Sequence, residues 1–437
     1  MKYFIHTFGC QANERDSELI AGMLKEMDYE ATRDEQEADL ILFNTCCVRE
    51  KAENKVFSRI GELKELKIKK PHLIIGVSGC MVQQDKMPAR IRRRAPHVDL
   101  IFGTHNIHEL PHLIQNIQLL HTPQVQVLPE RSGIIEGLPS QRQIPFKALV
   151  NITYGCNNFC TYCIVPYVRG REKSRQSEDI LREITGLAQD GVMEVTLLGQ
   201  NVNSYGKDFT PAATFADLLA EVNNIEGVRR IRYLTSHPRD FDDSLLRRIT
   251  GFEKVCRHFH LPVQSGSDRT LQRMNRGYTR EYYNGLCRKI RRLFPAASLT
   301  TDIIVGFPGE TQEDFQDTLD LLKKTRFDMA FTFIYSPRSG TPASKMPDQL
   351  SASVKKTRLQ QLMALQNQIS LEINQALQGQ VLTVLVEGVS KTSEHTLTGR
   401  TDSNKTVLFR GPRELTGQFA EVKITDPQTW VLKGKLL

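Results

Sequence analysis

The stretch Y-G-C-N-N-F-C-T-Y-C-I-V-P, residues 154–166, places Cys156, Cys160 and Cys163 in a C-x3-C-x2-C arrangement. It follows an apolar segment, residues 146–152, that predicts a strand. A structural zinc ion needs four protein ligands, and this loop holds no fourth Cys or His. A 4Fe-4S cluster bound by three cysteines leaves one iron free to chelate a small molecule. The spacing therefore favours an iron–sulfur cluster over zinc or over three cysteines that only pack in a core.

The loop follows the first of six strand candidates that alternate with helical stretches. We predict the strands at residues 146–152, 194–198, 230–234, 259–263, 299–305 and 330–335. Six βα repeats predict a parallel barrel that is incomplete, because a full one has eight. The loops that follow the strands are then the face where chemistry is expected.

Upstream of this barrel the chain also alternates strands and helices. Strands are predicted at residues 2–7, 40–44, 73–78 and 100–102, with helices at about 15–27 and 49–69. This pattern predicts an α/β domain with a parallel sheet. Cys10, Cys46 and Cys80 each come just after a predicted strand, so they should meet at the carboxyl edge of the sheet. We interpret them as ligands of a second cluster, and Cys47, Cys256 and Cys287 as packing cysteines.

Towards the end of the chain, the spacing of apolar residues changes from that of a helix to that of short strands. A helical stretch near residues 359–373 stops at Gly379, and five short strands are then predicted at residues 381–386, 396–400, 406–410, 420–424 and 429–432. They predict a small antiparallel barrel with Trp430 in its core. The domains are expected at residues 1–118, 144–372 and 375–437, with a proline-containing linker at 119–143.

The composition narrows the class of protein. The 437 residues carry a net charge of +8 at a pI of about 8.9, which favours a polyanionic partner such as nucleic acid. No run of about 18 apolar residues exists to span a bilayer, and the start lacks the apolar region of a signal peptide. We therefore expect no membrane partner, a cytoplasmic location and no disulfides among the nine cysteines.

These motifs together resemble the methylthiotransferase family of radical S-adenosylmethionine (SAM) enzymes, and the resemblance covers the chain in three blocks. The C-x3-C-x-aromatic-C motif is completed by Tyr162, and Ala12 stands where many relatives have Met. The tail resembles the TRAM RNA-binding domain. The matching segments are T-F-G-C-Q-A-N (7–13), N-T-C-C-V-R-E-K-A (44–52), G-C-N-N-F-C-T-Y-C-I-V-P-Y-V-R-G-R-E (155–172), L-L-G-Q-N-V-N-S-Y-G (197–206), H-L-P-V-Q-S-G-S (260–267), T-D-I-I-V-G-F-P-G-E (301–310) and G-R-T-D-S-N-K (399–405).

The resemblance implies the reaction and its cofactors. Such enzymes carry two 4Fe-4S clusters and use SAM twice to attach a methylthio group to carbon 2 of N6-isopentenyladenosine at tRNA position 37. It implies that the six cysteines bind the clusters and that Tyr162 lies near the adenine of SAM. It also implies an electron donor of the flavodoxin or ferredoxin type and iron–sulfur assembly proteins as partners. By the same analogy some polar residues after the barrel strands bind SAM: Gln200, Asn201, Asn203, Ser236, His237, Gln264 and Ser265.

Two basic runs and the tail offer contacts to RNA. Phosphate contacts are considered for two sets, Arg169, Arg171, Lys173 and Arg175, and Arg90, Arg92, Arg93 and Arg94; for the second, a solvated charged face is an equal alternative. In the tail, Lys405, Arg410 and Arg413 suit phosphates and Phe409 a base. The target base should flip into the barrel mouth. Alternatives left open are threonylcarbamoyladenosine tRNA or a ribosomal protein as substrate, and a non-catalytic zinc-bound RNA-binding protein.

Overall fold

The computed structural model describes residues 1–47, 50–131, 133–391 and 393–437, and only the backbone of residues 50–52. The chain forms two compact units. The first consists of residues 1–143, 149–159 and 163–183, and the second of residues 144–148, 160–162 and 184–437. None of the helices in the described ranges combines the length and apolar character that a bilayer span requires.

The first unit contains a six-stranded parallel sheet in the order β2-β1-β3-β4-β5-β6. Its strands are β1 (Lys2–Thr7), β2 (Glu30–Ala31), β3 (Leu40–Thr45), β4 (Ile74–Gly79), β5 (Leu100–Phe102) and β6 (Gln124–Gln126). Its helices are α1 (Gln11–Glu26), α2 (Glu50–Lys69), α3 (Met87–Arg94) and α4 (Leu110–Leu120).

Helices cover both faces of this sheet. On one face, Ile41 and Phe43 of β3 pack with Val56 of α2 and Ile91 of α3. The alternate residues of the strands, including Leu42, form the second core with α1 and α4. Because β3 and β4 are buried along their whole length, they read as continuous apolar runs rather than alternating ones.

The predicted α/β class is confirmed, and several details differ from the sequence-based prediction, which lacked β2, α3 and α4. Strand β6 lies inside the stretch interpreted as a linker and pairs with β5. It is a three-residue edge strand whose first and last residues are glutamines, so it carries too little apolar pattern to be recognised. Helix α1 begins at Gln11 rather than near Arg15, and the predicted start of α2 at Arg49 lies outside the described residues.

The barrel strands are β7 (Lys147–Asn151), β10 (Glu194–Leu198), β11 (Arg230–Tyr233), β12 (His258–His260), β13 (Ser298–Val305) and β14 (Met329–Ile334), and the unit boundary passes through β7. They form two three-stranded sheets, in the orders β11-β10-β7 and β12-β13-β14. The pairs β10–β11, β12–β13 and β13–β14 are parallel. The six predicted strands are therefore present.

Helices and a small antiparallel sheet lie between these strands along the chain, and α12 follows the last of them. The small sheet pairs β8 (Thr153–Tyr154) with β9 (Lys173–Ser174). Helices α7 and α11 begin with capping boxes, in which a threonine and an aspartate three residues later satisfy each other's backbone N–H groups. The helices are α5 (Val165–Val168), α6 (Ser177–Gln189), α7 (Phe215–Asn223), α8 (Asp243–Ile249), α9 (Asp268–Arg273), α10 (Arg280–Leu293), α11 (Gln312–Thr325) and α12 (Ala352–Gln375).

The last residues form a closed five-stranded barrel in the order β15-β16-β17-β19-β18. Its strands are β15 (Val381–Ser390), β16 (Ser393–Thr401), β17 (Thr406–Arg410), β18 (Phe419–Pro427) and β19 (Leu432–Leu436). The expectation that Trp430 lies in the core is wrong, because β19 starts two residues after it and leaves the side chain 56% exposed. Phe409 is buried inside the barrel instead, so it is unavailable to stack on a base.

The turn between β16 and β17 contacts the amino-terminal ends of the barrel strands within the second unit. Arg232 of β11 donates to the carbonyl of Thr401 at 2.8 Å, and Asp402 accepts from the backbone of Arg257 at 2.9 Å. Lys405 donates to Asp328 at 2.6 Å. The expected phosphate contact of Lys405 is therefore wrong, because this amine is part of a largely buried ion pair.

Candidate functional site

In the first unit, three cysteines lie at the carboxyl edge of the parallel sheet. Cys10 precedes α1, Cys46 follows β3 and Cys80 follows β4. Glycine allows their segments to approach closely, since a Cβ on Gly9 would lie 2.9 Å from the Cβ of Cys46. Gly79 has φ +96°, and a Cβ there would lie 2.3 Å from the carbonyl oxygen of Thr45. The turns after the strands are therefore shaped by the backbone at these glycines.

Cys80 is held by a buried arginine. The Nε of Arg169 donates to the Cys80 Sγ at 3.1 Å, and its Nη2 lies 2.7 Å from the Asp16 Oδ2. A hydrogen bond with Cys47 and the charge of Arg169 lower the pKa of Cys80 to about 6, against the effect of burial. Cys47 therefore does more than pack, which is all that its sequence context suggested. The geometry favours a thiolate at Cys80.

This pairing corrects the prediction for the first basic run. Arg169 is buried with Asp16, and Arg175 is buried with Glu136 and Glu183. Neither guanidinium is available to RNA phosphates. Lys173 donates to the carbonyl of Arg131, while Arg171 stays exposed above the Phe159 ring at 4.4 Å.

The second basic run lies on α3, where its four arginines are exposed. Arg90 and Arg94 lie over the ring of Phe57, at 5.2 and 4.4 Å from its centroid. Their stems thereby cover apolar surface while the charges face water, which fits the alternative of a solvated charged face.

The barrel cysteines are divided between the two units. Cys156, which is buried, and Cys163, which is half-buried, belong to the first; Cys160, also buried, belongs to the second together with Tyr162. In the first unit the Nδ2 of Asn158 donates to the Cys156 Sγ at 3.4 Å. The loop needs glycine at its start, because Gly155 has φ +70° and a Cβ there would lie 2.2 Å from a backbone oxygen.

In the second unit a buried arginine contacts Cys160. The Nη1 of Arg276 lies 3.3 Å from the Cys160 Sγ and 3.4 Å from the Tyr162 hydroxyl. Its other donors reach the carbonyl of Pro262 at 2.6 Å and the hydroxyl of Tyr278 at 2.9 Å. Burial disfavours the charge, but Tyr162, Tyr278 and Cys160 keep the pKa of Arg276 raised.

The contacts of these two arginines with cysteines were not predicted from the sequence, which offered Arg169 only as a phosphate contact. Each lies far along the chain from its cysteine, 89 residues for Arg169 and 116 residues for Arg276. Arg169 carried a weak signal, since it lies in the motif after the cluster loop. Nothing in the sequence around Arg276 distinguishes it from the exposed arginines of the neighbouring helices.

The residues fit iron–sulfur clusters by the chemistry of their donors. Thiols lie at glycine-shaped turns, and a buried cation sits beside Cys80 and beside Cys160. Among the residues whose placement is described, no three His, Cys, Asp or Glu side chains gather as they would around a single metal ion. In a 4Fe-4S cluster three thiolates bind three different irons, and hydrogen bonds to the sulfurs tune its potential.

The polar residues after the barrel strands fall into two groups. Asn201 is already engaged, because its Nδ2 donates to Asp240 at 2.7 Å and its Oδ1 accepts from the backbone of His237 at 3.0 Å. Gln200 is half-buried, and Gln264 is buried with a left-handed φ of +74°. The backbone of Gln264 pairs with β13, donating to the carbonyl of Asp302 at 2.8 Å.

The second group has buried polar atoms that lack a hydrogen-bond partner within the described ranges. They are both amide atoms of Asn203, the Oγ of Ser236 and the Nε2 of His237. Burial, with the nearby charge of Arg276, lowers the pKa of His237 to about 2, so the ring is neutral. Buried polar atoms left without partners are costly, and a polar ligand would satisfy them.

The chain matches three family models. They are the Uncharacterized protein family UPF0004 over residues 2–103, the Radical SAM superfamily over residues 150–322 and the TRAM domain over residues 375–437.

Its similar relatives include three proteins called tRNA-2-methylthio-N(6)-dimethylallyladenosine synthase. The one from Desulforamulus reducens is 57% identical over 435 residues, covering 100% of this chain and 95% of the relative. That from Moorella thermoacetica is 55% identical over 433 residues, covering 99% and 98%. That from Carboxydothermus hydrogenoformans is 54% identical over 435 residues, covering 100% and 99%.

Solved structures share the fold at low identity. The radical S-adenosylmethionine methyltransferase TsrM from Kitasatospora setae has a TM-score of 0.55 at 14% identity, covering 78% of this chain and 73% of its own. The cobalamin-dependent S-adenosylmethionine radical enzyme OxsB has a TM-score of 0.50 at 14% identity, covering 84% and 56%. These likenesses concern the fold alone.

Proposed function

The chain belongs to the family of tRNA-2-methylthio-N(6)-dimethylallyladenosine synthases, and we propose that it attaches a methylthio group to carbon 2 of N6-isopentenyladenosine at position 37 of tRNA. The observation that carries the proposal is identity above one half along the entire chain to relatives with this activity in their name. It is a radical SAM enzyme, whose cofactors are 4Fe-4S clusters and SAM.

We assign one cluster to Cys156, Cys160 and Cys163 and the other to Cys10, Cys46 and Cys80. When bound, the clusters and SAM supply the one-electron and sulfur chemistry of the reaction. The residues around the cysteines have their own tasks. Arg169 and Arg276 donate to sulfur and offset the negative charge of the thiolates. The unpartnered atoms of Asn203, Ser236 and His237 support a SAM site after β10 and β11.

Other assignments rest on the family. Tyr162 packs against the apolar side chains of Met274, Phe307 and Tyr335 in the second unit, which supports its proposed contact with the adenine of SAM. We keep Gln200 and Gln264 as proposed SAM contacts, whereas Asn201 positions the loops through its contacts with Asp240 and His237.

RNA binding is proposed for a basic row on the outside of the last barrel. Arg410 of β17 is paired in register with Lys435 of β19, which is paired with Lys423 of β18. All three side chains are exposed. Like charges directly opposite on neighbouring strands destabilise a sheet, so this row is better explained by a polyanionic partner. Arg413, which lies 3.8 Å from Glu394, is also exposed and is kept as a proposed phosphate contact.

The proposed RNA contacts of this row are tested by the salt dependence of tRNA binding. Replacing Lys435 with Gln should weaken binding of tRNA about equally for different sequences and reduce the slope of log K against log salt by about one, because one phosphate contact is lost. Lys2 is the control, since it is exposed and paired with Glu37 in the other unit. An unchanged slope in the Lys435 variant would contradict the assignment.

The reaction needs one electron for each SAM cleavage, so we further propose an electron donor of the flavodoxin or ferredoxin type, with iron–sulfur assembly proteins to load the clusters. We place the reaction in the cytoplasm, where tRNA is found.

The experiment that tests the function is mass spectrometry of tRNA nucleosides from cells lacking this chain. The isopentenyl nucleoside should accumulate and its methylthio derivative should vanish. Loss of a methylthio derivative of threonylcarbamoyladenosine, or of a modified ribosomal protein, would replace the proposed substrate. Purified anaerobic protein should hold about eight irons per chain, and zinc without iron would refute catalysis.

A further inference from the structure

The sheet β12-β13-β14 has two faces with different surroundings. Phe259, Leu299 and Ile303 alternate onto one face and are buried. The ring of Phe259 lies 5.3 Å from that of Phe294, which directly follows α10, so this face is covered by helices. The opposite face is therefore the inside of the barrel.

The register of the strands brings three side chains together on that inner face. His260 is paired with Thr300, and Asp302, two residues further along β13, is paired with Phe331 of β14. The Nε2 of His260 lies 3.6 Å from the Asp302 Oδ1, and its ring meets that of Phe331 edge-on at 5.9 Å. We call His260, Asp302 and Phe331 the inner-face triad.

The triad remains accessible although it faces inward. Phe331 is 49% exposed, and the side chain of Asp302 is 27% exposed. Two residues earlier on the same face, His258 is buried near the turn that carries Lys405. The inside of a parallel barrel is normally filled by side chains, so an open aromatic ring at this level leaves space for a ligand.

The triad also lies next to the strand ends where SAM is proposed. The backbone of Gln264 donates to the carbonyl of Asp302 and accepts from the backbone of Ile304 at 2.9 Å. A base bound against Phe331 would therefore lie beside the proposed SAM site. This adjacency is what transfer to a base carbon requires.

We propose that the inner-face triad binds the substituted adenine of the tRNA, with Phe331 against the base and its isopentenyl group and with Asp302 accepting the N6–H. This inference rests on the proposed function and names the residues that recognise its substrate. The chemistry also selects among modified adenines. A threonylcarbamoyl substituent carries a carboxylate, which Asp302 would repel, whereas an isopentenyl group is uncharged and apolar.

The test compares the affinity of the SAM-bound holoenzyme for two anticodon stem-loop RNAs, one with isopentenyladenosine and one with adenosine at position 37. The wild-type protein should prefer the isopentenyl RNA. Phe331→Ala should lower the affinity for that RNA by about 10-fold to 100-fold, the range of an aromatic contact with a base. It should lower the affinity for the adenosine RNA less, and so reduce the preference, because only the isopentenyl RNA also loses apolar contact with its substituent. Phe331→Leu, which keeps apolar bulk, should retain part of it.

Ile334→Ala is the matched control. Ile334 lies on the same strand and is 38% exposed, but its strand position places it on the opposite face. The inference is overturned if Phe331→Ala keeps the wild-type preference, or if Ile334→Ala reduces it equally. A wild-type protein without any preference, or one that prefers a threonylcarbamoyl RNA, would instead count against the proposed function itself.

Discussion

Two buried arginines hold two cysteines in this protein, and they differ in what neutralises them. Arg169, beside Cys80, is paired with the carboxylate of Asp16 at 2.7 Å. Arg276, beside Cys160, is held by two tyrosine hydroxyls and a backbone carbonyl. The first cation is balanced by a carboxylate, whereas the second contacts two hydroxyls, a carbonyl and the sulfur of Cys160.

This difference matters for the two cysteine sets. A buried charge without a counter-ion is strongly destabilising, so a site like that of Arg276 favours binding of an anionic group. Ligand removal should therefore perturb the surroundings of Cys160 more than those of Cys80. The comparison can be tested by changing one partner at a time.

The largest effect is expected for Cys160→Ala. The variant should lose one cluster, falling from about eight irons to about four, and should no longer cleave SAM to 5'-deoxyadenosine when reduced anaerobically. Cys256→Ala is the control, because Cys256 is buried and its pKa is raised by burial, as expected for a packing cysteine. Persistent cleavage in the Cys160 variant would remove this loop from the catalytic centre.

The second expected effect is on stability. Asp16→Asn leaves the Arg169 cation buried without its carboxylate and should lower the free energy of unfolding by about 3 to 5 kcal/mol. The double variant, Asp16→Asn with Arg169→Gln, should recover part of this loss, because the uncompensated charge is then gone. Urea unfolding of the single and the double variant measures the two changes in the free energy of unfolding. Equal stability of Asp16→Asn and the wild type would mean that Arg169 does not depend on Asp16.

The strand-end position of the cysteines was predictable from the sequence, whereas the partners of their sulfurs were not. Apolar runs followed by Cys10, Cys46 and Cys80 are local patterns. The contact of Arg169 with Cys80 joins residues 89 positions apart, and no local pattern encodes it. The same limit explains Trp430, because the start of β19 is set by its pairing with β17 and β18 rather than by its own residues.

The third prediction concerns pH and His237, whose pKa is lowered to about 2 by burial and by cations that include Arg276. The ordinary value is about 6.5. As the pH falls below 6.5 the unfolded chain therefore binds the proton first, and stability is lost by about 1.4 kcal/mol per pH unit. His237→Gln should flatten this dependence between pH 6.5 and 5, measured by thermal or urea unfolding. An unchanged slope would contradict the neutral buried ring.

The smallest effect is expected from removing one hydroxyl at each of two buried tyrosines. Tyr278→Phe removes an acceptor from the Arg276 cation together with the hydroxyl's own neutral bonds to the carbonyls of Pro262 and Val263, the shorter at 3.0 Å. Tyr283→Phe removes only a neutral hydrogen bond to the carbonyl of Leu261 at 2.8 Å. Hydrogen bonds to charged groups contribute about 1.5 to 3 kcal/mol and neutral ones about 1 kcal/mol. Tyr278→Phe should therefore lower the free energy of unfolding more than Tyr283→Phe does. If the two losses are equal, the Arg276 charge is already balanced, and the contrast with Arg169 disappears.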